Sequence, residues 1–370
     1  MNILHICNDY TGSKVHQNLC KRLDSMLDHQ VVYTYFDGEQ LIGKNGFEGE
    51  HTEIFYDNNL NPVIRKIYPL KRWWVYRNLL KKINPKEIDC VFATTLFSDG
   101  GLAYNLYRQY GIPYIVAVRM TDLSVYLNHT KLLWHYGREV LQHAKKIILI
   151  NKAFKSKLQT HEFSRDLWDE IKDRVIVRPN GVDSFWIEHV RKEKIENDGK
   201  VCYVGAFSSR KNVLRLIAAV DSLQAEYPNM QLTLIGENGE EEAEIRRQAS
   251  QKPYIHLLGP IYDKNELLKQ YRSHSIFAMA STNETFGLVY LEALSQNLRL
   301  LYSQGTGIDG LLDDVGVAVN ARSVDSIANG LRELMTHYDD FSGNACIDYT
   351  DFDWDVIAEQ YDQMFHEVTQ

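Results

Sequence analysis

Residues 275–294 read SIFAMASTNETFGLVYLEAL, and this stretch carries the clearest signal for the fold. The apolar run Ser275–Ser281 is typical of a buried strand, and we expect a helix to begin near Phe286. Two carboxylates, Glu284 and Glu292, flank that helix start. Eight residues of helix advance by about 800°, which leaves these side chains within about 80° of each other and about 12 Å apart along the axis.

The helix start between the two carboxylates is the feature that points to a ligand. It would aim free backbone N–H groups and a positive dipole end at a bound phosphate. Acidic side chains beside such a site suit a ligand with a phosphate centre and hydroxyl-rich ends, and a nucleotide sugar is one. A Glu pair at this spacing also arises by chance about once or twice in a chain of this length, so its surroundings must decide.

Length and composition restrict the class of protein. The chain has 370 residues, which predicts two domains that each bury a core, and its net charge of −8 argues against a general nucleic-acid binder. We expect no transmembrane helix and no signal peptide, because no apolar run reaches about 18 residues. Five scattered cysteines fit neither a disulfide framework nor a zinc site and indicate a reducing cytoplasm. They are Cys7, Cys20, Cys90, Cys202 and Cys346.

Short apolar runs alternate with helical patterns in two successive series, which predicts two α/β domains with parallel sheets. The first series is Asn2–Cys7, Gln30–Tyr35, Cys90–Ala93, Tyr114–Val118 and Ile147–Ile150. The second is Val175–Val177, Val201–Val204, Leu232–Ile235, Ile255–Leu258, Ile276–Ala278 and Leu298–Tyr302.

The domain boundary is predicted after the turn Arg178–Asp183, where Pro and Asn-Gly interrupt the pattern. This gives a first domain of 1–183 and a second of 184–352, with a C-terminal helix at about 353–370 that returns to the first. An ordinary turn inside one large domain is the alternative.

Other strand exits of the second series add small residues and cations. The strand Val201–Val204 ends at Gly205, and Arg210 and Lys211 follow within the same turn. Open α/β sheets bind ligands at the carboxyl ends of their strands, where these cations could neutralise a diphosphate leaving group. A solvated basic turn is the alternative. Glycine turns also follow three neighbouring strands, at 236–239, 259–261 and 305–310.

Taken together, these motifs resemble the retaining glycosyltransferases of the two-Rossmann GT-B architecture, specifically glycosyltransferase family 4, the glycosyl transferases group 1. The resemblance covers nearly the whole chain and is specific for the family but not for a substrate. It implies two Rossmann-like domains facing a cleft and a C-terminal crossover helix. The matching segments are Phe97–Gly101, Pro179–Asp183, Gly205–Lys211, Leu258–Gly259, Glu284–Leu294, Gly305–Gly310 and Phe352–Ala358.

The resemblance also implies roles for single residues. Glu284 would bind hydroxyls of the donor sugar, Lys211 the diphosphate, and Glu292 the ribose. The donor would need neither a metal nor a further cofactor, because cationic side chains and the helix dipole take the cation's place. The remaining expected substrate contacts, several through the backbone, are Gly12, Asp122, Asn180, Gly205, Pro260, Ile261, Thr285, Phe286, Gly287 and Leu288.

Three places depart from the family pattern. Gly205 is followed by Ala206 where the family often has Arg, and Arg210 is our candidate for the missing charge. Arg119 stands where the family often has a catalytic His, and it would either bind phosphate or pair with Asp122. The N-terminal glycine-rich loop keeps one glycine, Gly12, so close backbone approach is expected mainly there.

A basic and aromatic stretch lies in the first half of the chain. Residues 65–86 hold eight Lys or Arg and no acid, with Trp and Tyr interleaved. Such a stretch suits an anionic membrane surface. An amphipathic packing helix with a solvated basic face is the alternative.

The expected function is retaining, metal-independent transfer of a sugar from a UDP- or GDP-type nucleotide sugar to a glycan or lipid-linked acceptor, in surface polysaccharide assembly. The expected place is the cytoplasm, with residues 65–86 allowing association with the inner face of the membrane. Two alternatives stay open: a sugar-nucleotide epimerase or phosphorylase of the same fold, and a non-catalytic sugar-nucleotide-binding subunit.

Overall fold

The computed structural model describes residues 1–345 and 347–370, and Cys346 lies outside the described residues. The chain forms two compact units. The first comprises Met1–Ile150, Phe154–Gly181 and Asp351–Gln370, and the second comprises Asn151–Ala153 and Val182–Thr350. The predicted junction after Asp183 lies two residues from the observed change of unit. No helix in the described part of the chain is long and apolar enough to cross a membrane.

The first unit is built on a seven-stranded parallel sheet of order β3-β2-β1-β4-β5-β6-β7. Its central strands are buried on both faces, which explains their nearly continuous apolar sequences. The strands are β1 Asn2–Ile6, β2 His29–Tyr35, β3 Thr52–Asp57, β4 Cys90–Ala93, β5 Tyr114–Val118, β6 Lys146–Leu149 and β7 Val175–Val177. The last of these was grouped with the second series from the sequence, but it pairs with β6 at the edge of the first sheet.

Among the described residues, nine α-helices accompany this sheet. They are α1 Lys14–Leu23, α2 Pro62–Lys66, α3 Tyr68–Leu79, α4 Ser98–Tyr110, α5 Leu127–His129, α6 Trp134–His143, α7 Lys152–Thr160, α8 Trp168–Ile171 and α15 Trp354–Thr369. The C-terminal helix α15 begins at a cap, because the Asp353 carboxylate accepts the N–H of Asp355 at 2.7 Å. Its apolar side chains at helical spacing, among them Ile357 and Phe365, join Leu23 and Phe92 in the core of the first unit.

The second unit contains a six-stranded parallel sheet of order β10-β9-β8-β11-β12-β13. Its strands are β8 Lys200–Val204, β9 Gln231–Ile235, β10 Ile255–Leu258, β11 Ile276–Met279, β12 Arg299–Ser303 and β13 Gly316–Val319. Its helices are α9 Ser184–Glu188, α10 Val213–Leu223, α11 Glu242–Gln251, α12 Lys264–Arg272, α13 Leu288–Ser295 and α14 Val324–Thr336. The predicted α/β class with two Rossmann-like parallel sheets is confirmed.

Two strands were missing from the sequence prediction, β3 and β13. Both lie at sheet edges, and both expose part of their length, so neither shows the continuous apolar run of a central strand. The helix predicted to begin near Phe286 begins at Leu288.

The strand order explains where ligands can bind. In each sheet three successive strands run outward to one side, and the next strand returns to pair with the first, β1 with β4 and β8 with β11. The loops that leave such a pair diverge to opposite sides of the sheet and leave a crevice at the carboxyl ends of the strands.

Candidate functional site

The loops after β8 and β11 meet in a buried ion pair. The Lys211 ammonium lies 2.6 Å from Glu284 Oε2, and the two side chains are only 15% and 8% exposed. The sequence proposed both residues for the donor site, and the structure brings them together at the switch point of the second sheet. Both charges are satisfied here by each other, and removal of one would leave the other buried and uncompensated.

Arg210 ties the two loops together. Its carbonyl oxygen accepts the N–H of Thr282 at 2.9 Å, and its guanidinium donates to the Asn283 carbonyl at 3.0 Å. Its side chain is exposed, and no carboxylate of the described residues lies within 4 Å of the guanidinium. Arg210 therefore keeps a positive charge available beside the ion pair.

Asn212 supports this arrangement and was missed in the sequence. It precedes α10 with a left-handed backbone (φ 64°), a conformation that Asn adopts more readily than most residues. Its amide donates to the carbonyls of Ala280 and Ala321 at 2.8 and 2.7 Å, which holds the β8 loop against the exits of β11 and β13. An Asn directly after two cations at a helix start was the available signal.

Helix α13 begins directly after the β11 loop. Its N-terminus has no side-chain cap, and its first turn contains no acidic residue. Gly287 precedes it with φ 79°, and a Cβ there would lie 2.6 Å from the Tyr290 ring, so the turn requires glycine. Phe286 is buried, while Thr285 and Leu288 are half-buried. An uncapped helix N-terminus is a favourable place for an anion.

The glycine turn after β12 covers Glu284. The N–H of Gly307 donates to the Glu284 carbonyl at 3.0 Å, and the side-chain amide of Asn151 donates to the Gly307 carbonyl at 2.6 Å. A Cβ at Gly307 (φ 63°) would lie 3.5 Å from Glu284 Cγ. The loops that follow β8, β11 and β12 therefore meet within this unit.

Glu292, two turns into α13, has different surroundings from Glu284. It accepts a hydrogen bond from the Tyr271 hydroxyl at 3.1 Å. Burial raises the pKa of Glu292 to about 7, helped by the negative charge of Asp183 and opposed by the Tyr271 bond and the Lys264 charge. Lys264 in turn pairs with Asp183 at 2.6 Å.

The exits of β9 and β10 hold the positions expected to border the base. Pro260 and Ile261 follow β10 and are half-buried. Gly205 and Gly236 end the neighbouring strands, and a Cβ at Gly236 would overlap the Gly205 carbonyl oxygen. Because the two backbones approach so closely, position 236 requires glycine. Gly205 itself is half-buried.

In the first unit, Asp122 organises the backbone of two loops. Its carboxylate accepts the N–H groups of Leu96, Phe97 and Arg119 at 3.0, 3.1 and 2.9 Å. Burial raises the pKa of Asp122 to about 6, against the opposing effect of these bonds. The side chain is fully buried, so its geometry is that of a positioning residue for the loops after β4 and β5. The expected Arg119–Asp122 pair is a backbone contact, not an ion pair between side chains.

The Arg119 side chain instead donates to the Thr94 carbonyl at 3.3 Å and lies 3.5 Å from Asn180 Oδ1. Burial raises the pKa of Asp9, and the Arg119 charge opposes that shift. A side chain at Gly12 would overlap the Asp9 carboxylate, so this glycine leaves room for the acid.

His16, which the sequence reasoning passed over, also lies within the electrostatic reach of Arg119. Burial lowers the pKa of His16 to about 3, with the positive charge of Arg119 adding to the effect. The imidazole is therefore neutral at pH 7. Its position three residues after the Ser13 cap of α1 gave no chemical signal in the sequence.

Part of this chain is similar in sequence to known proteins. Residues 184–345 match the family described as glycosyl transferases group 1. Alpha-monoglucosyldiacylglycerol synthase of Acholeplasma laidlawii is 26% identical over 262 residues, which are 64% of each chain. O-antigen chain mannosyltransferase B of Escherichia coli is 26% identical over 190 residues, 46% of this chain and 49% of the relative. The chain thus spans about half to two thirds of the length of these relatives.

A solved structure shares the whole fold. This protein structure is described as "Trehalose-6-phosphate from E. coli bound with UDP-2-fluoro glucose". The alignment covers 100% of this chain and 99% of that chain, with a TM-score of 0.68 and 12% sequence identity. At this identity the likeness shows the architecture alone. The match to the glycosyl transferases group 1 model at residues 184–345 agrees with the predicted resemblance over that part of the chain.

Proposed function

We propose that this chain is a retaining glycosyltransferase that moves a sugar from a UDP- or GDP-type nucleotide sugar to a glycan or lipid-linked acceptor. The observation that carries the proposal is the Lys211–Glu284 pair at the β8 and β11 exits, beside the uncapped N-terminus of α13. This arrangement offers positive charge for a diphosphate and a carboxylate for sugar hydroxyls.

Electrostatic stabilisation of the leaving group supplies the main catalytic effect in this proposal. As the sugar–phosphate bond breaks, negative charge grows on the diphosphate. Lys211, the exposed guanidinium of Arg210 and the dipole of α13 are fixed where they can oppose that charge. We therefore propose transfer without a metal ion, with Lys211 and Arg210 in the cation's role.

The donor sugar and ribose are assigned to different carboxylates. Glu284, held at the mouth of the β11 loop, would accept hydrogen bonds from sugar hydroxyls. Glu292 would bind the ribose, and its Tyr271 partner would orient it. Backbone N–H groups from Thr285 to Leu288 would contact the sugar and phosphate. Gly205, Pro260 and Ile261 would border the nucleotide.

On the first unit, Arg119 and Asn180 are the groups proposed to face the acceptor, with Gly12 allowing close approach beside Asp9. Arg119 cannot shuttle a proton at neutral pH. We propose that it binds phosphate on the acceptor side, while Asp122 positions it through the backbone.

The acceptor class is supported by the activities for which two relatives are named, an O-antigen chain mannosyltransferase and an alpha-monoglucosyldiacylglycerol synthase. We propose surface polysaccharide assembly at the inner face of the membrane as the setting. The basic segment 65–86 supports membrane contact, with a revision. Lys71 and Arg72 turn inward, onto Ser98 Oγ at 3.1 Å and the Tyr136 ring at 3.9 Å, and so do not belong to the exposed basic face of this segment.

Release of nucleoside diphosphate from a panel of UDP- and GDP-sugars tests the proposal, with a lipid or glycan acceptor and without one. Glu284→Gln should lower turnover by about 100-fold or more, as expected when a site loses a contact made to the reacting group. Glu226→Gln, which removes an exposed carboxylate paired with Arg332, is the matched control and should retain full activity. Tight donor binding with no turnover on any acceptor would favour a non-catalytic subunit instead.

A further inference from the structure

A half-buried lysine in the first unit lacks a carboxylate partner. Lys71 on α3 donates to Ser98 Oγ at 3.1 Å, and Ser98 Oγ lies 3.1 Å from the Tyr126 hydroxyl. Within residues 1–345 and 347–370, no carboxylate oxygen lies within 4 Å of the Lys71 ammonium. Burial lowers the pKa of Lys71, and the nearby charge of Arg65 adds to that effect while Asp99 opposes it.

This cluster lies at the ligand-binding edge of the first sheet. Ser98 is the first residue of α4, which follows β4, and Tyr126 ends the short helical turn that follows β5. Both therefore follow the carboxyl ends of neighbouring parallel strands, and β4 is one of the two strands that form the switch point of this sheet. Open α/β sheets bind their ligands at this edge.

Asp99, the carboxylate whose charge acts on Lys71, already has hydrogen-bond partners. It accepts hydrogen bonds from Tyr35, Thr94 and Thr95 at 2.9, 2.9 and 3.0 Å. Burial raises the pKa of Asp99 to about 6, against the opposing effect of these bonds and of the Lys71 charge. The Lys71 ammonium and the hydroxyls of Ser98 and Tyr126 form a partly buried hydrogen-bonded cluster that carries one positive charge of its own.

We propose that Lys71, Ser98 and Tyr126 form a subsite for a phosphate group of the acceptor. Phosphate oxygens accept strong hydrogen bonds from an ammonium and from hydroxyls, and all three donors lie within one short network. Arg65 is exposed and supplies a second cation. This inference rests on the proposed transfer and names the acceptor side of that reaction.

The surroundings favour a phosphate that carries a hydrophobic chain. Val63, Ile67, Leu70 and Trp73, on or between the same two helices α2 and α3, leave 40% to 66% of their surface exposed. Large apolar side chains gathered in this way indicate a lipid or protein contact more often than a free surface. A lipid phosphate could place its chain on these residues and its head group at Lys71. Free phosphate shares only the head-group chemistry.

Calorimetric titration of the full chain with three probes tests this subsite: dihexanoyl phosphatidic acid below its micelle concentration, inorganic phosphate, and dihexanoylglycerol. We expect the phosphatidic acid to bind most tightly and the neutral dihexanoylglycerol not to bind. Lys71→Met should raise the Kd for phosphatidic acid at least about tenfold, the usual effect of one hydrogen bond to a charged group. Ser98→Ala should raise it severalfold.

Lys172→Met is the matched control, since Lys172 is an exposed lysine of the first unit, outside the segment 65–86, and pairs with Asp169. It should leave the Kd unchanged. Equal affinity in the parent protein, Lys71→Met and Ser98→Ala would overturn the subsite, as would equal binding of the neutral dihexanoylglycerol. Inorganic phosphate that binds as tightly as phosphatidic acid would overturn the lipid assignment.

Binding of UDP and GDP in the same samples separates this inference from the proposed function. Lys71 belongs to the other unit from Lys211, so the Lys71→Met variant should bind the nucleotide as the parent protein does. A parent protein that binds neither nucleotide would contradict the proposed function. A loss of phosphate selectivity with nucleotide binding intact would contradict only the subsite.

Discussion

Glu284 and Glu292 are eight residues apart, yet their carboxylates have different partners. Glu284 is paired with Lys211 inside the loop cluster, whereas Glu292 is hydrogen-bonded to Tyr271 further along α13. The sequence identified both residues and their spacing. It could not reveal the ion pair, because Lys211 lies 73 positions before Glu284 and meets it only through the pairing of β8 with β11.

The buried Lys211–Glu284 pair should affect the free energy of unfolding. Lys211→Met leaves Glu284 buried without its counter-charge and should lower the free energy of unfolding by about 3–5 kcal/mol. The double variant Lys211→Met/Glu284→Gln removes both charges and should recover much of that loss. Urea unfolding of the single and double variants measures the coupling.

The exposed Arg332–Glu226 pair is the matched control for this cycle, and its coupling should stay below about 1 kcal/mol. A coupling between Lys211 and Glu284 no larger than the control would show that the pair is not held as described.

The raised pKa of Glu292 should make the stability of the protein depend on pH. Its pKa is about 7 in the folded protein, against about 4.3 for an ordinary Glu in the unfolded chain. A carboxyl with a raised pKa costs no stability below the unfolded value, and its cost grows as the pH rises to about 7 and is complete above it. Glu292→Gln should therefore be more stable than the parent protein at pH 8, by about 1–2 kcal/mol after allowance for partial exposure, and nearly equal at pH 4.

Urea unfolding of both proteins at pH 4 and pH 8 checks this, because titrations common to both cancel in the difference. A stability difference that does not change with pH would contradict the raised pKa.

At the scale of elements, the basic stretch in α2 and α3 shows that a charge pattern does not determine which side chains face inward. The sequence of residues 65–86 predicted a basic segment but not the orientation of each cation. Lys71 and Arg72 are turned to Ser98 and Tyr136, partners 27 and 64 positions away. The exposed surface instead combines the apolar side chains Val63, Ile67, Leu70 and Trp73 with the cations Arg65, Lys66 and Arg77.

This surface predicts binding to anionic vesicles. Leu70→Ser/Trp73→Ser should weaken partitioning onto phosphatidylglycerol-containing vesicles, because exposed apolar side chains insert at the interface. Arg65→Gln/Lys66→Gln should weaken it by about 1 kcal/mol per charge, and added salt should do the same. Co-sedimentation with vesicles measures both effects.

Tyr262→Ser is the control, since Tyr262 is a large exposed aromatic residue of the second unit. Unchanged partitioning of the two double variants would leave α2 and α3 as a packing element with a solvated face, the alternative that the sequence also allowed.

At the scale of the molecule, the two sheets repeat one strand order, and the sequence predicted most of their strands but not the order. The buried central strands have nearly continuous apolar sequences, and this pattern predicted them. The edge strands β3 and β13 and the support from Asn212 were not, because partly exposed strands and left-handed turns leave weak local patterns. The family motifs included Lys211 and Glu284, which lie on loops that meet in the structure, while the surroundings of Asp122 and His16 depend on burial that only the fold determines.

The central claim is that the diphosphate of the donor binds at Lys211, beside the N-terminus of α13. Calorimetric titration with UDP and GDP tests it most directly in the folded double variant Lys211→Met/Glu284→Gln, in Glu284→Gln, and in the control Lys269→Met, an exposed lysine of α12 in the same unit. The nucleotides carry no sugar, so the loss of Glu284 alone should change the Kd little.

We expect the double variant to bind UDP or GDP, whichever binds the parent protein, at least about tenfold more weakly. Lys269→Met should bind that nucleotide as tightly as the parent protein does. Equal affinity of the double variant and the parent protein would contradict diphosphate binding at Lys211.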